Sequence, residues 1–98
     1  MSGRWTYLVC YDICDPKRLR RVYKILRGFG DHWQYSVFRC VLSDARKVRL
    51  MTRLDQIIHH GEDQVLIAPL GPAGGQNESN IQTIGKRLEP AEKSAKVL

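Results

Sequence analysis

From Trp5 to Tyr11 the chain is apolar on both parities, with Trp5, Tyr7, Val9 and Tyr11 on one side and Leu8 and Cys10 on the other. The β-branched and aromatic content predicts a strand. A strand apolar on both faces belongs in the middle of a sheet, covered on both sides. Asp12-Ile13-Cys14-Asp15-Pro16 follows. Asp15 can accept from free backbone N–H groups and Pro16 is tolerated in a first turn, so a helix starts here. Leu19, Val22, Tyr23 and Leu26 then fall at i, i+3, i+4 and i+7, one face of that helix. Gly28 and Gly30 end it. His32 to Leu42 is extended, with a break near Ser36. Ser43 or Asp44 caps a second helix whose apolar stripe is Val48, Met51, Leu54 and Ile58, and His59-His60-Gly61 closes it. Gln64 to Pro69 forms another strand, Gly71 to Gly75 a turn, and Asn80 to Ile84 a short fifth strand. After Pro90 little is available to bury, and a frayed tail is expected.

The predicted order is β-α-β-β-α-β with an extra C-terminal strand. Two crossovers around an antiparallel hairpin make a ferredoxin-like α+β sandwich. Residues 1–85 form the domain and 86–98 the tail. Both helices lie on one sheet face. The other face of the first strand also needs cover, and in so short a chain a partner subunit, a ligand or the last strand must supply it, which is an argument for a dimer. Asp12 alternates with Leu8 and Cys10, so two Asp12 side chains meet only if the Leu8 side is the dimer face.

Composition narrows the function. The 98 residues suit one domain, and 43% hydrophobic with 27% charged residues is ordinary for a globular chain. The net charge of +6 is uneven: residues 1–60 hold twelve basic and five acidic side chains, residues 61–98 four and five. The first part is therefore the candidate surface for a polyanion, DNA or RNA. No apolar run approaches the ~20 residues of a membrane span, and no signal peptide is expected from the opening residues. Three cysteines without a CxxC spacing argue against a disulfide framework or a zinc site and favour a reducing cytoplasm.

Asp12, ending an apolar strand before a basic helix, reads either as a turn former or as a ligand for a hard cation such as Mg²⁺, which takes one or two carboxylates plus phosphate and water. Two copies across a two-fold axis supply a pair, and a shared cation relieves their repulsion. Lys17, Arg18, Arg20 and Arg21 are a solvated helix face or a phosphate contact. His59 and His60 lack the spacing of a paired metal site and read as helix-end residues, with His32 at a strand start. Cys10 reads as core and Cys14 as a bystander. Trp5, Tyr7, Tyr11 and Phe38 read as core or dimer packing. The other reading, an RNA-recognition module stacking bases on an open sheet, requires Tyr7 and Tyr11 to be exposed.

Tyr11-Asp12-Ile13, Asp15, the basic run through Arg21-Val22, the Gly28-Phe29-Gly30 stop and the Gln34-Tyr35-Ser36-Val37-Phe38 run together resemble the CRISPR-associated protein 2 family, from about Trp5 to Pro69. The resemblance implies a symmetric homodimer of ferredoxin-like subunits. It implies a role in CRISPR spacer acquisition, bridging the integrase CRISPR-associated protein 1, and metal-dependent endonuclease activity on RNA or double-stranded DNA. A non-catalytic nucleic-acid-binding adaptor is the alternative it leaves. By the same resemblance Asp12 is the catalytic, metal-holding residue. Tyr11, Arg18, Arg21 and Phe38 are supporting or nucleic-acid-binding positions. His32 stands where the family often has arginine, and an unperturbed imidazole is neutral above about pH 7.

Overall fold

A computed structural model describes residues 3–75 and 81–86. The elements are β1 (Trp5–Asp12), α1 (Pro16–Arg27), β2 (Asp31–Gln34), β3 (Val37–Leu42), α2 (Asp44–Ile57) and β4 (Gln64–Pro72). They form one sheet in the order β2-β3-β1-β4, every neighbouring pair antiparallel. This is the expected ferredoxin-like arrangement, with β1 central. Strand β4 runs three residues further than expected. Its Pro69 and Pro72 are tolerated because β4 lies at the sheet edge, where only one side of the strand is paired.

Helix α1 begins where the Asp-Pro signal put it. Asp15 accepts from the N–H groups of Lys17 and Arg18, each at 3.0 Å. Those bonds, chiefly the one from Arg18, hold its carboxyl below the ordinary carboxylate value. At the other end the Leu26 carbonyl accepts from both Phe29 and Gly30 at 2.9 Å, closing the helix into β2. Helix α2 is capped by Ser43, whose side chain accepts from the Arg46 N–H.

The core lies between the two helices and one face of the sheet. Tyr7, Val9 and Tyr11 from β1 and Phe38, Cys40 and Leu42 from β3 meet Val22, Leu26, Phe29, Leu50 and Leu54. The stripe expected on α2 is corrected here. Leu50 and Leu54 face inward, whereas Val48 and Met51 are 62% and 46% exposed. At ~100° per residue Val48 stands roughly 120° around the helix from Leu54. Leu50, overlooked in the stripe, lies only about 40° from Leu54 and takes the inward place.

The opposite sheet face is different. Leu8 and Cys10 are half-buried and Asp12 is exposed. Beside them in register stand Val37, Arg39, Leu66 and Ala68. Among the described residues no helix covers this face. β1 is thus central, as its two apolar parities required, but the described residues cover it with helices on one side only.

The expected fifth strand does not form in the single chain. Residues 81–83 carry no strand and Ile84 is fully exposed, while Asn80 lies outside the described residues, as does the expected tail after Pro90. A strand exists through its ladder, and Ile81 to Ile84 make none with the sheet edges described.

Gly30 sits where the chain passes closely over β3. A Cβ there would come within 3.0 Å of the Arg39 carbonyl oxygen and of Cys40 Sγ. Gly30→Ala is therefore expected to lower stability by roughly 1–3 kcal/mol. Urea unfolding checks this, and an unchanged midpoint would show that the β3 backbone yields freely.

Candidate nucleic-acid interface

Asp12 is the last residue of β1, exposed, and opposite Gln64 of β4. Its side chain emerges on the helix-free face, the parity of Leu8 and Cys10. The register thus carries the carboxylate to the sheet end where β1 hands over to α1.

The connection beyond Asp12 is fixed by the segment that leads from α2 into β4. Arg18 Nε donates to Asp63 Oδ2 at 2.7 Å, and Nη2 donates to Asp63 Oδ1 at 3.2 Å and to Glu62 Oε1 at 3.1 Å. Asp63 also accepts from the Cys14 N–H at 2.9 Å and the His59 N–H at 2.8 Å. Its side chain is fully shielded from solvent. The Arg18 bond, with those two backbone donors, holds the Asp63 carboxyl well below the usual carboxylate range. Asp63 in turn raises the already high pKa of Arg18. The Cys14 thiol donates to the Glu62 carbonyl at 2.9 Å, which ties the same two loops together. One carboxylate therefore joins the β1–α1 loop, the first turn of α1, the end of α2 and the entry to β4.

The Arg18 guanidinium is thus paired with two acids, and it orders the loop after Asp12. Arg21, one turn on, is exposed and makes no ion pair with a described residue. The same is true of Lys17, Arg20 and Lys24.

A second cluster sits behind the strand end. Phe38 is fully buried, and the rings of Tyr11, Tyr23 and His32 lie with their centroids 6.2, 5.5 and 4.9 Å from it. His32 Nε2 lies 2.7 Å from the Tyr35 carbonyl oxygen, to which the Tyr11 hydroxyl also donates at 3.5 Å. Burial, and then the nearby Tyr23, push the Tyr11 phenol up to about 12. Tyr11 is therefore neutral at physiological pH and acts as a hydrogen-bond donor, not as a base. Phe38 and Tyr11 are both core residues here, Phe38 with no surface open to solvent. Tyr7 and Tyr11 are 5% and 7% exposed, which removes the open-sheet stacking of an RNA-recognition module.

The donor set for a hard cation is one carboxylate per chain. Among the described residues no three His, Cys, Asp or Glu side chains come together to hold a metal. One Asp12 is within the one-or-two-carboxylate habit of Mg²⁺, whose other positions are taken by water and phosphate. A second copy of the chain would supply the second carboxylate. His60 Nε2 faces Asp55 at 2.7 Å, and the His59 ring accepts from the Gly61 N–H, so both serve the helix end. The three cysteines are free thiols. Burial pushes Cys40 up to about 12 and raises Cys10. No described helix is long and apolar enough to cross a membrane.

Sequence reasoning missed Asp63 and Tyr35. Asp63 follows Gly61-Glu62 at a strand entry, an ordinary turn signal, and nothing local announces a partner 45 residues upstream. The sequence predicts a break near Ser36 without singling out Tyr35, which has a positive φ of 35° and is 90% exposed.

With this geometry in view, three comparisons agree. The family model described as CRISPR associated protein Cas2 matches residues 5–77. A Rhodospirillum rubrum protein named CRISPR-associated endoribonuclease Cas2 1 is 38% identical over 97 residues, covering 99% of this chain and 94% of its own length. A Thermodesulfovibrio yellowstonii protein named CRISPR-associated endoribonuclease Cas2 2 is 48% identical over 82 residues, covering 84% and 85%. Among solved structures, Streptococcus pyogenes Cas2 at pH 6.5 superposes with a TM-score of 0.69 at 34% identity, over 82% of this chain and 99% of that one. The hypothetical protein TT1823 from Thermus thermophilus superposes with a TM-score of 0.74 at 30% identity, over 90% and 99%.

The clamp carries a pH prediction. The folded value of Asp63 lies below its ordinary value of 3.8. Its stabilisation is therefore complete above that ordinary range and is lost as pH falls through the folded value. Asp63→Asn should lower Tm by roughly 5 °C or more near pH 6, with the gap to the unmodified protein narrowing on acidification. Thermal unfolding followed by circular dichroism checks this, and a gap that stays constant down to strong acid would place the stabilisation elsewhere.

Proposed function

The chain belongs to the CRISPR associated protein Cas2 family, and on that premise we propose that it is a Mg²⁺-dependent endoribonuclease acting as a symmetric homodimer in CRISPR spacer acquisition. The observation that carries the reading is Asp12, exposed at the end of β1 on the sheet face that no described helix covers. The half-buried apolar groups around it, Leu8, Cys10, Val37, Ala68 and the 54% exposed Leu66, suit a second copy of the same face. Two such faces in contact bring two Asp12 carboxylates to one axis.

Asp12 of each subunit would hold the ion, which would supply a lowered pKa for a bound water and charge neutralisation on the phosphate. Arg21, exposed and without a described acidic partner, contacts the nucleic-acid backbone away from the scissile bond. Arg18 and Asp63 keep the loop after Asp12 in place, and Tyr11 and Phe38 keep the strand end rigid. His32 acts through the Tyr35 carbonyl. The names of the relatives support RNA as substrate, with double-stranded DNA the alternative. The chain works in the cytoplasm, beside the integrase CRISPR-associated protein 1. A second reading, an adaptor without chemistry of its own, is favoured by one feature, the row of α1 cations from Arg20 to Lys24 that have no acidic partner among the described residues.

Asp12→Asn separates these readings. Cleavage of single-stranded RNA across a Mg²⁺ series should fall by roughly 100-fold or more, since even outer-shell partners of a metal are worth 10- to 100-fold. Dimer content and RNA affinity in EDTA should stay within twofold. Undiminished cleavage by pure Asp12→Asn protein would remove the catalytic assignment, and no cleavage by either protein would leave the adaptor.

A further inference from the structure

A cleft of about 1060 Å³ opens on the helix side of the sheet, between α1 and the β2–β3 turn. Its charge is one-sided: Lys17, Arg20, Arg21, Lys24 and Arg27 line it and no acidic residue does. None of the five makes an ion pair with a described residue, and Arg27 also rests on the Tyr23 ring, 6.0 Å from its centroid. Five cations at one lining favour a ligand carrying several negative charges. The volume is at the upper end of what one small molecule fills, so a chain of phosphates suits it better than a single nucleotide.

The far rim is aromatic and rigid. Tyr35 lines the cleft at the tip of the β2–β3 turn, with 90% of its surface exposed. It holds a left-handed backbone conformation, φ 35°, which a bulky side chain rarely adopts. Two groups pin that tip: His32 Nε2 at 2.7 Å from the Tyr35 carbonyl oxygen, and the Tyr11 hydroxyl at 3.5 Å from the same atom. His32 is in turn packed against Tyr23 and Phe38. The core therefore fixes the backbone that carries an exposed aromatic ring, beside a row of cations with no described acidic partner. That combination matches single-stranded nucleic acid, whose unpaired bases offer faces to stack while the phosphates follow the positive groove. A duplex hides those faces.

We propose that this cleft binds single-stranded nucleic acid, with Tyr35 as the stacking platform for a base and Arg20, Arg21 and Lys24 as the phosphate contacts. The site lies on the opposite side of the sheet from Asp12. The proposal rests on the nucleic-acid reading above and extends it, giving the strand a track that does not require the metal.

The test is binding in EDTA, where no cleavage intervenes. The full chain is titrated into fluorescently labelled oligouridylate, or into a mixed-sequence duplex of equal length, and anisotropy is followed. Tyr35→Asn removes the ring yet suits the left-handed backbone, and Tyr35→Phe keeps the ring. Tyr35→Asn should weaken single-strand binding by roughly 5- to 100-fold and duplex binding by less than twofold, with Tyr35→Phe close to the unmodified protein. Lys24→Gln should reduce the slope of log affinity against log salt by about 0.7. Single-strand affinity of Tyr35→Asn within twofold of the original would overturn the proposal. So would an equal loss on the duplex, or a Tyr35→Phe loss as large as that of Tyr35→Asn. Cleavage in Mg²⁺ is measured separately, so a failure of this cleft leaves the Asp12 result standing.

Discussion

The alternation of β1 is the constraint from which the other features follow. Side chains on a strand point alternately to the two faces, and a slip of one residue would exchange them all. Tyr7, Val9 and Tyr11 are committed to the helix-covered core by their packing with Phe38 and Leu26. That commitment sends Leu8, Cys10 and Asp12 to the other face. The carboxylate is where it is because three larger neighbours are buried, and no separate device is needed to present it. The same commitment makes Tyr11 a core residue whose hydroxyl reaches the Tyr35 carbonyl, so one strand organises both sides of the sheet.

Two charge arrangements then divide the work on α1. At its first turn Arg18 is neutralised by Asp63 and Glu62, and the positive charge there serves architecture. Such a pair, with one partner fully shielded, owes its value to the additional backbone donors that satisfy the remaining oxygen sites. Further along, Arg20, Arg21 and Lys24 lack described partners, and the charge is available to a polyanion. Adjacent basic residues in one run thus do different jobs, decided by whether an acid lies within reach in space.

Much of this was legible in the sequence because it depends on local chemistry. Asp15-Pro16 marks a helix start wherever it occurs, and of the stripe Leu19, Val22, Tyr23 and Leu26 on α1, Val22 and Leu26 are buried and Tyr23 is half-buried, whereas Leu19 is exposed. Strand parity placed Asp12 on the Leu8 side. The errors arose where local pattern was ambiguous or where the partner was distant. On α2 two apolar stripes overlap at Leu54, and only the position of the sheet selects Leu50 over Val48. Asp63 pairs with Arg18 across 45 positions, and no spacing rule reaches that far. The segment from Ile81 to Ile84 has strand-like alternation, but a strand needs a ladder partner, which the described part of one chain does not give it.

The central claim is that the uncovered sheet face is where two chains meet to make one catalytic centre. The most direct measurement is sedimentation equilibrium and RNA cleavage on the same sample of Leu66→Lys, which places a charge on that face far from the helix side. The account predicts a folded monomer whose cleavage falls in proportion to the lost dimer. A monomeric Leu66→Lys protein that cleaves RNA at the original rate would contradict it.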